Sequence, residues 1–217
     1  MKKLLLFALL TAGFLASCKQ NPEGQQVQAE AAQETTASAS GNAFQVDPQA
    51  SSLNWTASKV GGQHNGTLAI SGGSITVQDG AIQGGAINLD MNTITVLDLE
   101  GNKKADLEDH LRSGDFFEAG QHPTGAFEIT SATPVSGNPE ITHQITGNLT
   151  LKGVSKSITI PANVIITGDM VNAITPSFTI NRTEWGINYR SGILGTAKDK
   201  IIADEIGLVI NLRAKKA

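Results

Sequence analysis

The 217-residue sequence has little cysteine, few aromatic residues and a low charge content. Its single cysteine, Cys18, excludes an intramolecular disulfide and any metal centre built from several cysteines. Aromatic residues make up 5% of the chain and charged residues 17%. The formal net charge of -4 argues against nucleic acid as a partner, because binding a phosphate backbone requires clustered lysine and arginine.

Motifs that carry catalytic chemistry are also missing. The sequence has no H-E-x-x-H zinc motif, no G-x-S-x-G nucleophile motif and no G-x-G-x-x-G dinucleotide motif after a strand. Residues 147–153 resemble a phosphate loop, but the lysine precedes the second glycine and the middle alternates like a strand. The histidines, His64, His110, His122 and His143, lack metal-ligand spacing. The sequence therefore predicts no enzyme, no metal site and no cofactor.

The first residues have the pattern of a targeting signal. Two lysines, Lys2 and Lys3, precede an apolar run over residues 4–15 that is too short to span a bilayer. The run ends in L-A-S-C at residues 15–18, which resembles the bacterial lipobox. That resemblance implies cleavage before Cys18 and acylation of its thiol and new amine. An ordinary secretory signal with an incidental cysteine is the alternative.

The residues after Cys18 indicate which membrane would hold the lipid anchor. Lys19 stands where aspartate would favour retention in the inner membrane, so we expect a lipid anchor in the outer membrane, facing the periplasm. Export to the cell surface remains an alternative. Residues 19–42 contain no aromatic residue and one β-branched aliphatic residue, Val27. Such a segment buries too little apolar surface to offset its ordering entropy, which predicts a flexible tether that is dispensable for folding. A helix over residues 23–34 is the alternative.

Glycine and alternating apolar residues dominate the remainder, from about Ala43 to Ala217. Glycine contributes 23 residues, which is typical of an all-β protein with many turns. Alternation with a period of two predicts half-buried strands. The predicted boundaries are therefore a signal peptide at 1–17, the acylated cysteine and tether at 18–42, and one folded domain at 43–217.

Turn residues separate the alternating runs, among them Gly61-Gly62, Gly72-Gly73 and the hairpin signal Asp79-Gly80. Residues 103–117 instead have helical spacing and predict one short helix. About eight strands and one helix predict a closed antiparallel barrel, with a two-sheet sandwich as the alternative. The apolar side of the strands includes Leu53, Trp55, Ile87, Leu89, Phe127, Ile129, Leu149, Phe178, Ile180, Ile206 and Leu208.

Three bulky or charged residues are candidates for special roles, and two of them, Trp55 and Arg182, have two interpretations each. Trp55 lies on an apolar strand face, as core or as pocket wall, and Trp185 is a candidate plug for one barrel end. Arg182 directly follows an apolar strand. It either forms an ion pair with Asp204 or Glu205, which we favour, or provides a polar contact for a ligand.

Motifs in order along the domain resemble those of YceI-like proteins. They are FQVD (44–47), SSLNW (51–55), GGAINLDMNTI (84–94), LEDHLRSGDFF (107–117), HPTGAF (122–127), GNLTLKGVSK (147–156), FTINRTEWGI (178–187) and DEI (204–206). The resemblance implies an eight-stranded antiparallel, lipocalin-like barrel with a helix over it. It also implies a long apolar lumen for a polyisoprenoid or similar lipid, and often a homodimer. It supplies no catalytic residue, and His64 departs from the family pattern because it follows a glycine turn.

The targeting signal and the resemblance to YceI-like proteins together imply an extracytoplasmic protein that sequesters or carries a polyisoprenoid or other long-chain lipid. The eleven apolar residues named above are predicted to line the lumen, with Arg182 as a further polar contact and Cys18 as the membrane anchor. An envelope stress or interaction protein that uses the barrel as a ligand-free scaffold is the main alternative, and an unrecognised enzyme is the third.

Overall fold

The computed structural model describes residues 21–35 and 40–217, apart from the side chain of Leu194. The predicted signal peptide and Cys18 lie outside these residues. No helix in the described ranges has the length and apolarity needed to cross a bilayer. The strands are β1 (Gln25–Gln26), β2 (Glu30–Ala31), β3 (Asn42–Val46), β4 (Ser52–Lys59), β5 (Gly62–Gln78), β6 (Ala81–Val96), β7 (Thr124–Pro134), β8 (His143–Leu151), β9 (Val154–Thr167), β10 (Met170–Ile174), β11 (Phe178–Asn181) and β12 (Ile202–Lys216), and helix α1 spans Gly101–Arg112.

Eight strands form a closed antiparallel ring. The order is β4, β5, β6, β7, β8, β9, β10 and β12, and β12 pairs back to β4. Strand β3 continues the line of β4, because it too pairs with β5 and β12. Closure pairs the strand edges that an open sheet would leave exposed. The predicted eight-stranded barrel with one helix is confirmed, and the sandwich alternative is wrong.

Backbone alternation directs the apolar side chains into the ring. On β8, Ile145, Leu149 and Leu151 are buried and point inward, as expected for residues an even number of positions apart along a strand. The hairpin predicted at Asp79-Gly80 joins β5 to β6, with φ of 52° and 78° at the two residues. Positive φ at both central residues is the geometry of a type I′ two-residue hairpin loop.

The glycines Gly72 and Gly73 correct a predicted turn. They lie inside the 17-residue strand β5, where φ is 147° and 136° and the register with β6 shifts between Ile70 and Gly72. A Cβ atom on Gly73 would collide with the carbonyl oxygen of Ala86. The pair therefore forms a bulge that lets one long strand bend around the barrel, and the chain does not reverse there.

Helix α1 lies over one end of the barrel. It is held to β6 by two contacts: the Val96 amide donates to the Glu108 carboxylate at 2.9 Å, and Arg112 donates to the Ile94 carbonyl at 3.2 Å. The predicted helix extended to Phe117, whereas α1 ends at Arg112 and turns follow through Phe116 and Phe117. We call this the helix end of the barrel.

Residues 21–35 differ from the predicted free tether, and they form no helix. Strand β1 pairs in parallel with β11, and β2 pairs antiparallel with β9. Between them Val27 is only 7% exposed. Asn148 exchanges two hydrogen bonds with the Gln33 backbone, at 2.9 and 2.7 Å. The prediction counted apolar side chains, but strand pairing uses backbone groups that every non-proline residue has. We call residues 21–35 the N-terminal strap.

The strap should contribute measurably to stability. We expect Val27→Ala to lower the free energy of unfolding of the full chain by about 1–2 kcal/mol, because a buried aliphatic side chain loses two methyl groups. Gln28 is exposed, so Gln28→Ala should change it by less than about 0.5 kcal/mol. Urea denaturation measures both. Equal stability of the two variants would show that the strap does not dock in solution.

Candidate functional site

An apolar cavity of about 190 Å³ lies inside the barrel. All eight ring strands, β11, α1 and the turn after α1 contribute to its wall, and every lining residue except Thr175 and Arg182 is apolar. The volume exceeds the roughly 150 Å³ of an engineered apolar cavity that stays dry and binds benzene. The interior is therefore suited to an apolar guest and offers almost no hydrogen-bonding partner.

The structure places all eleven apolar residues predicted from alternation on the cavity wall. These are Leu53, Trp55, Ile87, Leu89, Phe127, Ile129, Leu149, Phe178, Ile180, Ile206 and Leu208. Four of them, Trp55, Phe127, Ile206 and Leu208, line the cavity yet are only partly buried. This indicates that they border unfilled space. Their contact with a ligand remains a prediction.

Alternation did not identify several other wall residues. Leu111, Phe116 and Phe117 come from α1 and the turn after it, and they line the cavity at the helix end. The sequence signal that could have identified them is the pair of adjacent phenylalanines, Phe116 and Phe117, in an otherwise polar turn. Ile70 and Ile75 lie an odd number of residues apart on β5, yet both line the cavity. The Gly72-Gly73 bulge between them shifts the alternation by one residue, which period-two reasoning cannot detect.

Trp55 belongs to the wall of the cavity. Its indole nitrogen donates to the Thr67 carbonyl at 3.2 Å, which satisfies the polar edge of the ring. A Cβ atom at Gly66 would lie 2.5 Å from the same ring. Glycine at this position therefore makes the room that the indole occupies.

Arg182 is a buried cation whose guanidinium makes four hydrogen bonds to protein acceptors. Its guanidinium donates to the carbonyls of Ala203 (3.1 Å), Ile187 (2.6 Å) and Ile202 (3.2 Å), and to the Asp204 carboxylate at 3.3 Å. Burial lowers the pKa of the guanidinium, and Asp204 and Glu205 oppose that shift. The ion pair with Asp204 that the sequence predicted is confirmed. Although Arg182 borders the cavity, these protein contacts already engage its charge.

Trp185 occupies the 3-10 turn Arg182–Trp185 that follows β11. It is completely buried, and its indole nitrogen donates to the Leu149 carbonyl at 2.9 Å. The contact joins the turn to β8. Trp185 thus packs against the barrel from this turn and does not line the cavity.

Two histidines lie near the helix end of the barrel. His64 Nδ1 is 2.7 Å from Asp98, and its partner across the sheet is Ala57, a wall residue. His110 lies 2.9 Å from Asp115 and packs edge-on against Phe116. Across residues 21–35 and 40–217, no group of three or more histidine, cysteine and acidic side chains is arranged to hold a metal ion.

The ring of eight strands, the helix over one end and the apolar cavity within the ring define a lipocalin-like small barrel. The chain belongs to the YceI-like family. The model of the YceI-like domain matches residues 44–214, which reach all eight ring strands, except for the last two residues of β12, and leave out the strap.

Relatives with known sequences and structures agree with this assignment. A UPF0312 protein from Pseudomonas aeruginosa is 35% identical over 129 residues, covering 59% of this chain and 56% of that protein. One from Azotobacter vinelandii is 30% identical over 136 residues, covering 63% of this chain and 60% of the relative. The alignments thus span somewhat more than half the length of these relatives.

Two solved structures share the fold. BcnA from Burkholderia cenocepacia has a TM-score of 0.61 at 20% identity, covering 78% of this chain and 99% of that one. A polyisoprenoid binding domain from Saccharophagus degradans, implicated in plant cell wall breakdown, has a TM-score of 0.62 at 14% identity, covering 81% and 99%.

The role of Arg182 can be tested by separating stability from binding. We expect Arg182→Met to destabilise the protein by about 3–5 kcal/mol, because the Asp204 charge would lose its buried partner and three carbonyls would lose a donor. Arg182→Lys should cost less, since it keeps the charge and some donors. Chemical denaturation measures both. A stable Arg182→Met variant that fails only in ligand binding would show instead that Arg182 serves a ligand.

Proposed function

We propose that this protein binds a polyisoprenoid or similar long-chain lipid in its lumen and sequesters or carries it within the cell envelope. The cavity inside the ring carries the proposal, because its wall is apolar except for Thr175 and Arg182. Arg182 is already bonded to protein groups, so no unpaired charge within the cavity wall opposes an apolar guest.

Burial of apolar surface would supply the affinity. Each methylene group removed from water contributes about 0.8 kcal/mol, so a long chain binds tightly without specific hydrogen bonds. An eight-stranded barrel has an interior wide enough for one slender ligand. The fold shared with the polyisoprenoid binding domain of S. degradans supports this class of ligand. No catalytic residue is assigned.

The same proposal includes a membrane anchor at Cys18. The lipobox-like sequence before this cysteine supports acylation, and Lys19 supports an anchor in the outer membrane facing the periplasm. Several acyl chains hold a soluble domain at a bilayer far better than one chain does.

A homodimer also remains a prediction, which sedimentation of the detergent-solubilised protein would test.

The lumen should hold a lipid in protein purified from its own host. We expect native mass spectrometry and organic extraction to reveal a co-purifying long-chain lipid. Leu89→Trp and Ile129→Trp should reduce its occupancy while leaving the fold intact, because both side chains line unfilled space. Circular dichroism and thermal unfolding report on the fold in parallel.

Asn88→Trp is the matched control for Leu89→Trp. Asn88 is the preceding residue of β6, and its exposed side chain points to the opposite face of the sheet. It should keep wild-type lipid occupancy. A lipid-free wild-type protein in which Leu89→Trp overpacks the interior, at a cost of about 1–3 kcal/mol, would contradict the proposal and favour a ligand-free scaffold.

The anchor makes a separate prediction. Cys18→Ala removes the thiol that acylation requires, so the variant should no longer behave as a lipid-anchored protein in detergent phase partitioning, whereas the wild type should enter the detergent phase. Mass spectrometry of the wild-type N-terminal peptide should show acyl chains on Cys18. Unchanged partitioning of the variant would place the anchor elsewhere.

A further inference from the structure

The barrel wall has a seam between β9 and β11. Strand β10 pairs with both of its neighbours, β9 and β12. Beyond Pro176 the chain continues as β11, which still pairs with β12 at Phe178–Asn181. Within the described part of the chain β11 has no pairing with β9, whose first half pairs with β8 on its other side. Strand-to-strand hydrogen bonds therefore do not close the wall here.

The N-terminal strap occupies this seam. On the β11 side, the amides of Gln25 and Val27 donate to the carbonyls of Ser177 (3.3 Å) and Thr179 (2.9 Å). On the β9 side, Glu30 and Ala31 pair with Ser157 and Lys156. The strap thus supplies the hydrogen-bonding partner that each seam strand would otherwise lack.

The strap fits closely against β12 and the start of β11. Pro22 is buried, and its Cβ lies 2.8 Å from the position that a Cβ on Gly207 would take. Gly24 has a φ of 144°, and a Cβ on it would lie 2.8 Å from the Ser177 carbonyl group. The backbone of the strap therefore rests directly on the edge of the wall.

The lumen lies immediately inside the seam. Phe178 and Ile180 of β11 border the cavity on one side, and Ile158 and Ile160 of β9 border it on the other. Val27 belongs to the same packed core as these four residues, although it does not line the cavity itself. Removing the strap would therefore uncover the seam at a point where the apolar side chains on both sides border the cavity.

The strap is held to the wall by few contacts. Its two ladders are two residues long each, and Pro22 and Val27 are its buried residues. Segments with few buried contacts and exposed backbone hydrogen bonds open at lower free energy than core strands. At the helix end, by contrast, Leu111, Phe116 and Phe117 pack over the cavity, and the Arg182 network ties down the adjoining turn.

We propose that the seam between β9 and β11 is the portal through which the lipid enters and leaves, and that the N-terminal strap is its gate. The proposal rests on the proposed lipid-binding function. The strap lies before residue 44, outside the region that matches the family, so the gate is assigned to this chain and not to the family. A lateral portal lets a long chain enter sideways, without threading through a barrel end.

A disulfide across the seam tests the gate. Ala31 and Lys156 are antiparallel partners, so their Cα atoms are within the range that a disulfide spans. We would introduce Ala31→Cys and Lys156→Cys into the full chain carrying Cys18→Ala, so that no other thiol is present. The probe is a dansyl-labelled polyprenol. We expect oxidation to slow both uptake and release of the probe at least tenfold, and dithiothreitol to restore the wild-type rates.

Two controls separate the gate from general stiffening. Thr133→Cys with Gln144→Cys joins β7 to β8, which are already paired, and should leave the rates unchanged. Lys156→Cys alone removes the 3.7 Å ion pair with Glu184 and should behave as the reduced double variant does.

Gly24→Ala should act in the opposite direction and speed exchange of the probe several-fold, because its Cβ would push the strap off β11.

The outcomes distinguish this proposal from the one on which it rests. Wild-type protein that binds no probe would overturn the proposed function. Wild-type protein that binds the probe, with equal exchange rates in the oxidised and reduced seam variant, would overturn the portal alone and indicate entry through an end of the barrel.

Discussion

Closure of the eight-stranded sheet is the constraint on which the rest of this structure depends. Once β12 pairs back to β4, each ring strand has a defined inner face, and alternation fills the interior with apolar side chains. A solid core would result if those side chains met at the centre. Here they leave a cavity, and inward residues such as Trp55 and Phe127 keep accessible surface. The cavity is thus a consequence of ring size and side-chain volume together.

The few polar groups near the cavity are already bonded within the protein. Arg182 is held by three carbonyls and Asp204, and Asp204 in turn accepts from Ser191 at 3.0 Å. Breaking such a network would leave a buried charge without its partner, which is costly. Recognition in this lumen would therefore depend on the thickness and length of an apolar chain, and a polar head group would have to remain outside the wall.

The strap connects the barrel wall to the proposed anchor. Three residue steps separate Cys18 from Asn21, and at about 3.4 Å per extended residue they span at most roughly 10 Å. With the strap released, the 24 steps from Cys18 to Asn42 span up to roughly 80 Å. An acylated Cys18 would thus hold the seam close to the bilayer while the strap is docked. Release of the strap would lengthen the tether and expose the seam in one event.

Local sequence was sufficient for much of the fold and for part of the cavity wall. Period-two alternation identified eleven wall residues, Asp79-Gly80 identified a hairpin, and the spacing around Leu107 and Leu111 identified the helix, because each depends on residues near one another in the chain. Only the tertiary structure decided features that depend on distant contacts. The bulge at Gly72-Gly73 forms against Ala86 on the next strand, and it moves Ile75 to the inner face. The strap docks because β9 and β11 do not pair with each other, so their backbone groups are available to the strap. This site forms only once the ring has closed, and nothing in the sequence of residues 21–35 indicates it.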